Sequence, residues 1–232
     1  TMASRTLVSA SAADAAPSKL GLDAGATIML GDLVKAIIVK SANDMAVAVA
    51  EHIGGSEDQF AASMTEKARA LGMRQTTFKN ASGLPHDEQV TTARDMLTLA
   101  LALQDHFPKY YPLFAHRAFT YDGNAHRSHN TLLGSFEGTD GIKTGYTRAS
   151  GFNLVSSVRR GQKHIVAAVF GGTSAAARNT QMRTLLALAI TKASVSKTRQ
   201  TAPQLIARTR PQGDTWVRVA EAPAPAPALK LA

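Results

Sequence analysis

Three strand candidates near the end of the chain, residues 142–146, 152–158 and 164–170, constrain its fold more than anything else in the sequence. Gly161-Gln162 lies between the second stretch and the third and has the spacing of a tight hairpin, so these two are expected as antiparallel neighbours. A sheet of this kind must bury at least one face. The following segment supplies a cover: Ser174 can cap a helix bearing Met182, Leu185, Leu186, Leu188 and Ile190.

Upstream, the apolar residues follow a helical period. Gly31-Asp32 opens an apolar segment that reads as a buried helix until Lys40 interrupts it. Ser41-Ala42-Asn43-Asp44 then offers capping side chains for a helix over 45–53, stopped by Gly54-Gly55. Ser56 and Gln59 have capping-box spacing, and Phe60, Met64, Ala68 and Leu71 mark a helix ended by Gly72. Residues 76–85 read as a loop, and Thr92 and Asp95 begin a helix with Met96, Leu97, Leu99, Ala100 and Leu103 on its apolar side. Residues 118–121 and 124–127 form a hairpin pattern about Asp122-Gly123. Residues 1–16, mostly Ala, Ser and Thr with an apolar pair at Leu7-Val8, read as the end of something rather than the beginning of a domain. Pro17 to Gly25 has turn chemistry, and 26–30 reads as a short extended piece. The expected organisation is one α+β unit over 1–190, with a helical lobe at 31–115 and a sheet part at 117–190. A basic Pro/Ala-rich tail over 191–232 is expected to be disordered.

Composition sets the limits on chemistry. The chain has 232 residues, 44% of them hydrophobic, which is enough for a sizeable core, and no run of the roughly 18 apolar residues that a membrane span needs. No charged and then apolar leader opens it at Thr1. With zero cysteines there are no disulfides, thiol nucleophiles or thiolate metal sites. Of the net charge of +9, residues 191–232 carry +5, from 7 basic and 2 acidic residues. Such a tail suits an anionic surface or open solvent. Nucleic acid is disfavoured as a partner, because no aromatic residues interleave with these cations and Trp216 stands alone. His126 and His129 sit three apart without a carboxylate set, so no metal site is expected.

Two polar clusters interrupt this framework. Asp140-Gly141-Ile142-Lys143-Thr144-Gly145-Tyr146 puts an ammonium, a hydroxyl and bare backbone along one strand, which suits gripping a carboxylate beside a peptide-like bond. Ser41-Ala42-Asn43 follows an apolar run, and Ser128-His129-Asn130 repeats its spacing. Each has a plain reading: Ser41 as a helix cap, Lys143 as a guard against edge-to-edge pairing.

Taken together, these pieces resemble the D-alanyl-D-alanine carboxypeptidases, the low-molecular-mass penicillin-binding proteins of the S11 peptidase type. The resemblance runs over about residues 7–190. It rests on Pro17-Ser-Lys-Leu-Gly21, Lys40-Ser-Ala-Asn-Asp44, Ala68-Arg-Ala-Leu-Gly-Met73, Asn80-Ala-Ser-Gly-Leu84, Thr92-Ala-Arg-Asp95, Asn130-Thr-Leu-Leu133, Asp140-Gly-Ile-Lys-Thr-Gly-Tyr-Thr147 and Gly151-Phe-Asn-Leu-Val155. It implies a β-lactamase/DD-peptidase-like α+β fold, an antiparallel sheet flanked by helices plus an all-helical lobe, with the site in the cleft between.

Carried over by motif, Lys143 binds the terminal carboxylate of a peptidoglycan stem peptide ending in D-Ala-D-Ala and Thr144 adds a hydroxyl. Gly145 lets the ligand lie against the strand, and the Tyr146 N–H looks like an oxyanion-hole donor. Ser41 relays a proton, Asn43 holds a catalytic lysine and the substrate amide, and His129 lies near the cleft. β-Lactam antibiotics are further implied ligands, no cofactor is required, and the implied location is periplasmic or the outer face of the cytoplasmic membrane, reached through a signal peptide. The family's third signature, Ser-x-x-Lys with the nucleophilic serine, is missing before Ser41. The only such spacing, Ser194 to Lys197, follows the last helix and reads as coincidence. The resemblance therefore implies that the nucleophile lies roughly twenty to thirty residues before Thr1, with the first sheet strands, and that these 232 residues alone are inactive. Two alternatives are a non-catalytic binder of peptidoglycan or of a partner, and a class A β-lactamase. The second needs a deacylating glutamate, and no Glu-x-x-Leu-Asn occurs between Asn43 and Lys143.

Overall fold

The computed structural model describes residues 1–203. Its centre is a three-stranded antiparallel sheet of β5 (Thr139–Thr147), β6 (Gly151–Arg160) and β7 (Lys163–Gly172), in that order. The β6–β7 hairpin closes with Arg160 opposite Lys163, so Gly161 and Gln162 are its loop, as expected; Gly161 has φ +56°. The strands run three or four residues longer than the stretches expected at 142–146, 152–158 and 164–170, because ladder pairing continues through Thr139, Arg160 and Gly172.

Period-two alternation divides β6 between two cores. Leu154 and Val158 face α6 (Ala175–Lys192), where they pack with Leu132, Val169, Met182, Leu186 and Ile190. Val155 faces the other way, with Ile142, Ala100, Leu103 and Tyr111, under α5 (Ala93–His106) and a 3-10 helix at Tyr111–Ala115. Both sheet faces are therefore covered, each by a helix whose start a hydroxyl fixes. Ser174 accepts from the Ala177 N–H at 3.0 Å and Thr92 from the Asp95 N–H at 3.1 Å.

The remaining helices pack around a separate core. α2 (Leu30–Lys40) and α3 (Asn43–Gly54) bury Leu33, Ala36, Val39, Met45 and Ala48 together. α4 (Glu57–Ala70), capped by Ser56, packs Ala68 with Leu71, Met73 and Ala102. The hairpin of β3 (Ala118–Tyr121) and β4 (Asn124–Arg127) lies where its sequence placed it. Both turn residues, Asp122 and Gly123, have positive φ (46° and 75°), the backbone of a tight hairpin turn.

Two expectations need correction. Residues 1–16 are not a loose end: β1 (Arg5–Leu7) pairs with β2 (Thr27–Met29), and α1 (Ala10–Asp14) is capped by Ser9. The signal was the single alternation in which Thr6 and Val8 are buried and Leu7 is exposed, too short to register as a strand. The tail expected from residue 191 begins inside α6, which runs to Lys192. The segment after it is anchored: Arg199 donates to both oxygens of Asp105, at 2.6 and 2.9 Å, and the Ala202 N–H donates at 2.9 Å. The expectation of disorder for 204–232 lies outside the described residues.

Candidate functional site

The junction of α2 and α3 departs from the capping expectation. α3 starts at Ala42 with no side-chain cap, and Ser41 instead ends α2 in the left-handed region, φ 56° and ψ 47°. A non-glycine residue there stores strain of about 1 kcal/mol, a cost that tends to be retained where it aims a side chain. Here the aim is across the molecule: the Lys143 ammonium, 102 residues away, donates to the Ser41 hydroxyl. The same ammonium also reaches the Thr144 carbonyl at 3.1 Å. Lys143 is therefore no edge guard. Its charge is turned inward, and burial together with the nearby Arg178 guanidinium lowers its pKa to about 8.

β5 is held in place from its first residues. The Gly141 carbonyl accepts from the Ser156 hydroxyl at 2.9 Å and the Asn130 amide at 3.2 Å, so Asn130, in the second Ser-x-Asn, anchors the strand. Asp140 accepts from the Ser157 hydroxyl and lies 3.4 Å from His164 and 3.8 Å from Arg159. Burial pushes its carboxyl up, but those hydrogen bonds and charges outweigh it and hold the group below its ordinary range.

Downstream on β5 the surface opens. Thr144 is half-buried, and its hydroxyl makes no hydrogen bond among the described residues. Gly145 is exposed, its φ is not in the left-handed region, and a Cβ there would come no closer than 4.0 Å to the Asn153 Cβ. Neither backbone conformation nor packing among the described residues requires glycine at that position. Tyr146 is 60% exposed and stacks on Phe152 with centroids 4.4 Å apart.

Asn43 is buried at the start of α3; its amide donates to the Ala16 carbonyl at 2.9 Å and its N–H to the Ser18 carbonyl at 2.7 Å. Its side-chain oxygen accepts nothing from the described residues and is left as an acceptor. His129 stands at the rim. What burial it has, with the charges of Lys143, Lys40 and Arg178, keeps its ring below the ordinary imidazole range. His126, three residues away, leans instead on Phe119, with centroids 6.2 Å apart.

Sequence reasoning missed two contributors. Arg178, in the first turn of α6, donates to the Asn153 carbonyl at 3.1 Å and adds a second cation beside Lys143; nothing in its neighbours distinguishes it from a surface arginine. Asp44, expected as a cap, is fully buried and accepts from the N–H groups of Leu20 at 3.0 Å and Gly21 at 2.8 Å, fixing the loop that precedes β2. The Ser194 to Lys197 spacing has no part in the cleft: the Lys197 ammonium sits on Asp105 at 3.0 Å.

The chain is similar to known proteins. The D-alanyl-D-alanine carboxypeptidase DacA of Escherichia coli (strain K12) is 35% identical over 170 residues, which cover 73% of this chain and 42% of that one. This chain thus spans less than half the length of that relative. The crystal structure of the D-alanyl-D-alanine carboxypeptidase DacD from Francisella tularensis superposes with a TM-score of 0.77 at 29% identity, covering 81% of this chain and 58% of that one. Penicillin-binding protein D2 from Listeria monocytogenes, solved in an ampicillin-bound form, gives 0.73 at 28% identity, covering 81% and 77%. The D-alanyl-D-alanine carboxypeptidase family model matches residues 2–174, which take in Ser41, Asn43, His129 and the whole of β5, and the chain belongs to that family.

Proposed function

We propose that this chain forms the substrate-gripping wall of a D-alanyl-D-alanine carboxypeptidase acting on peptidoglycan stem peptides. The observation that carries the reading is the Lys143 ammonium on the Ser41 hydroxyl, which joins two motifs 102 residues apart into one polar centre. In this reading Lys143 takes the terminal carboxylate of the D-Ala-D-Ala end, with the Thr144 hydroxyl beside it. The ligand backbone lies along Gly145, where no side chain obstructs it, and the Tyr146 N–H meets the developing oxyanion. Ser41 passes a proton toward the leaving D-alanine, and Asn43 offers its free oxygen to an ammonium. His129, held neutral, borders the pocket.

Acyl transfer also needs a serine paired with a general base. The only Ser-x-x-Lys among the 232 residues is the one whose lysine is taken by Asp105, so the chain as it stands is assigned binding without acylation. β-Lactams, whose carboxylate resembles the peptide terminus, are proposed as ligands of the same wall. The proposed place of action is outside the cytoplasmic membrane, where stem peptides occur. The +5 charge of residues 191–232 supports contact with its anionic surface.

The test is calorimetric titration with a peptide ending in D-Ala-D-Ala, against a control ending in L-Ala-L-Ala. The D,D peptide should bind, the L,L peptide should not, and Gly145→Val should abolish binding while the thermal midpoint changes little. After incubation with a penicillin, the mass of the 232-residue chain should be unchanged. Equal binding of both peptides would sink the reading.

A further inference from the structure

β5 is not a regular strand where it approaches the cleft. Thr139 stands opposite Val158 and Gly141 opposite Ser157, two consecutive partners, so Asp140 is an extra residue, a bulge three places ahead of Lys143. We propose that this bulge sets the side of β5 on which the Lys143 ammonium emerges, and that His164, acting through Asp140, is the positioning residue that holds it. The contact so held is the one between Lys143 and Ser41, which forms without any ligand.

Side chains of an unbroken strand alternate, which would send residues 140 and 143 to opposite faces. The extra residue cancels that alternation. Lys143 stands opposite Val155, and Ser157, two places along β6, shares the face of Val155. Asp140 accepts from the Ser157 hydroxyl, so its carboxylate lies on the face that carries Lys143. The Gly141 carbonyl is taken by Ser156 and Asn130, which fixes the next residue and leaves the bulged one to be held by its own side chain.

That side chain is held from the far strand. His164, on β7, puts Nε2 3.4 Å from Asp140 and Nδ1 3.0 Å from the guanidinium of Arg159, its cross-strand neighbour. A guanidinium only donates, so Nδ1 is bare and the ring hydrogen sits on Nε2, facing the carboxylate. Gln104 of α5 lies 3.1 Å from the same nitrogen, and the Tyr111 ring meets the imidazole edge to face with centroids 6.4 Å apart. Contacts from α5, β6 and the 3-10 helix thus fix the ring, and the ring fixes Asp140. Arg159 cannot replace it, because its side chain is 57% exposed and stands 3.8 Å from the carboxylate. Loss of the ring leaves Asp140 with one firm partner, the Ser157 hydroxyl, and frees β5 to relax toward the unbulged ladder, which turns Lys143 away from Ser41.

The experiment follows the side-chain carbon next to the Lys143 ammonium by NMR in the 232-residue chain labelled with carbon-13 lysine, its signal assigned by its loss in Lys143→Arg. Buried and aimed at Ser41, the ammonium should titrate at about 8. In His164→Leu the midpoint should rise toward the ordinary 10.5, and in His164→Gln, which keeps an amide donor for Asp140, it should stay at about 8. Asp140→Asn should raise it too, although deleting a nearby negative charge would by itself lower it, so the sign separates movement from electrostatics. Should His164→Leu fail to fold, Asp140→Asn decides by the same reading. Val169→Ala opens the core on the other face of the same strand; it should lower the thermal midpoint and leave Lys143 at about 8. A Lys143 midpoint that stays at about 8 in His164→Leu overturns the proposal, as does an equal rise in Val169→Ala or a value already near 10.5 in the unaltered chain. No peptide enters these measurements, so their failure leaves the proposed function standing.

Discussion

Lys143 is the residue at which stability and binding pull in opposite directions. Burial and Arg178 bring its pKa down from 10.5 to about 8. Between those two values the unfolded chain holds a proton that the folded chain has released, so stability must rise as pH increases from about 8 toward 10.5. A carboxylate ligand needs the charged form, so affinity for a D-Ala-D-Ala peptide should instead fall as pH rises through about 8. Paired urea denaturation and calorimetry at pH 7 and pH 9.5 should show the two slopes with opposite signs, and Lys143→Met should flatten both. Affinity that stays level across this range would mean the ammonium does not carry the contact. In the sequence, Lys143 and Ser41 were visible as motif members expected on opposite walls of one groove, and the structure brings them into direct contact. The left-handed backbone at Ser41 was not visible, because a serine before a helix reads first as a cap.

At the scale of elements, β5 depends on a polar network that local patterns do not reveal. The Tyr111 hydroxyl bonds to Ser157 at 2.6 Å and receives the Gln104 amide at 3.0 Å; Gln104 also contacts His164 at 3.1 Å, and both His164 and Ser157 lead to Asp140. The network links α5, the 3-10 helix and all three strands just ahead of Lys143. Strand and helix positions were legible because alternation, turn residues and caps are local: Ser174, Thr92 and the Asp122-Gly123 turn all act within a few residues. The register shift between Thr139 and Gly141 was not, since no turn residue or alternation there marks it. Tyr111→Phe removes one hydroxyl from a buried pair and leaves Gln104 and Ser157 short of a partner. Urea denaturation should record a loss of about 1–3 kcal/mol, and peptide affinity should weaken as β5 loosens. A change below about 0.5 kcal/mol would show that water can replace the hydroxyl.

Across the whole molecule, the core under α6 and the core of α4 and α5 are joined by a part of the chain whose composition reads as a tail. α6 covers the sheet, and the segment leaving it crosses to the helices, where Ala202 packs beside Ala68, Leu71, Met73 and Ala102 while its carbonyl meets His106 at 3.2 Å. Asp105 is the post that holds this strap. Arg199 and Lys197, with the Ala202 N–H, keep its carboxyl far below the ordinary range despite burial. A depressed pKa means that the anchor is fully present above the unfolded value of 3.8 and weakens as pH falls below it. Long-range attachment of this kind depends on a single aspartate meeting cations 92 and 94 residues away, a pairing that no window of sequence displays. Asp105→Asn should free the strap without unfolding either core. Trypsin would then cut after Lys197 and Arg199 well before any site in α6, whereas the unaltered chain should resist at those two bonds near neutral pH. Cleavage there at the same rate in both proteins would show that packing of Ala202, and not the carboxylate, fastens the segment.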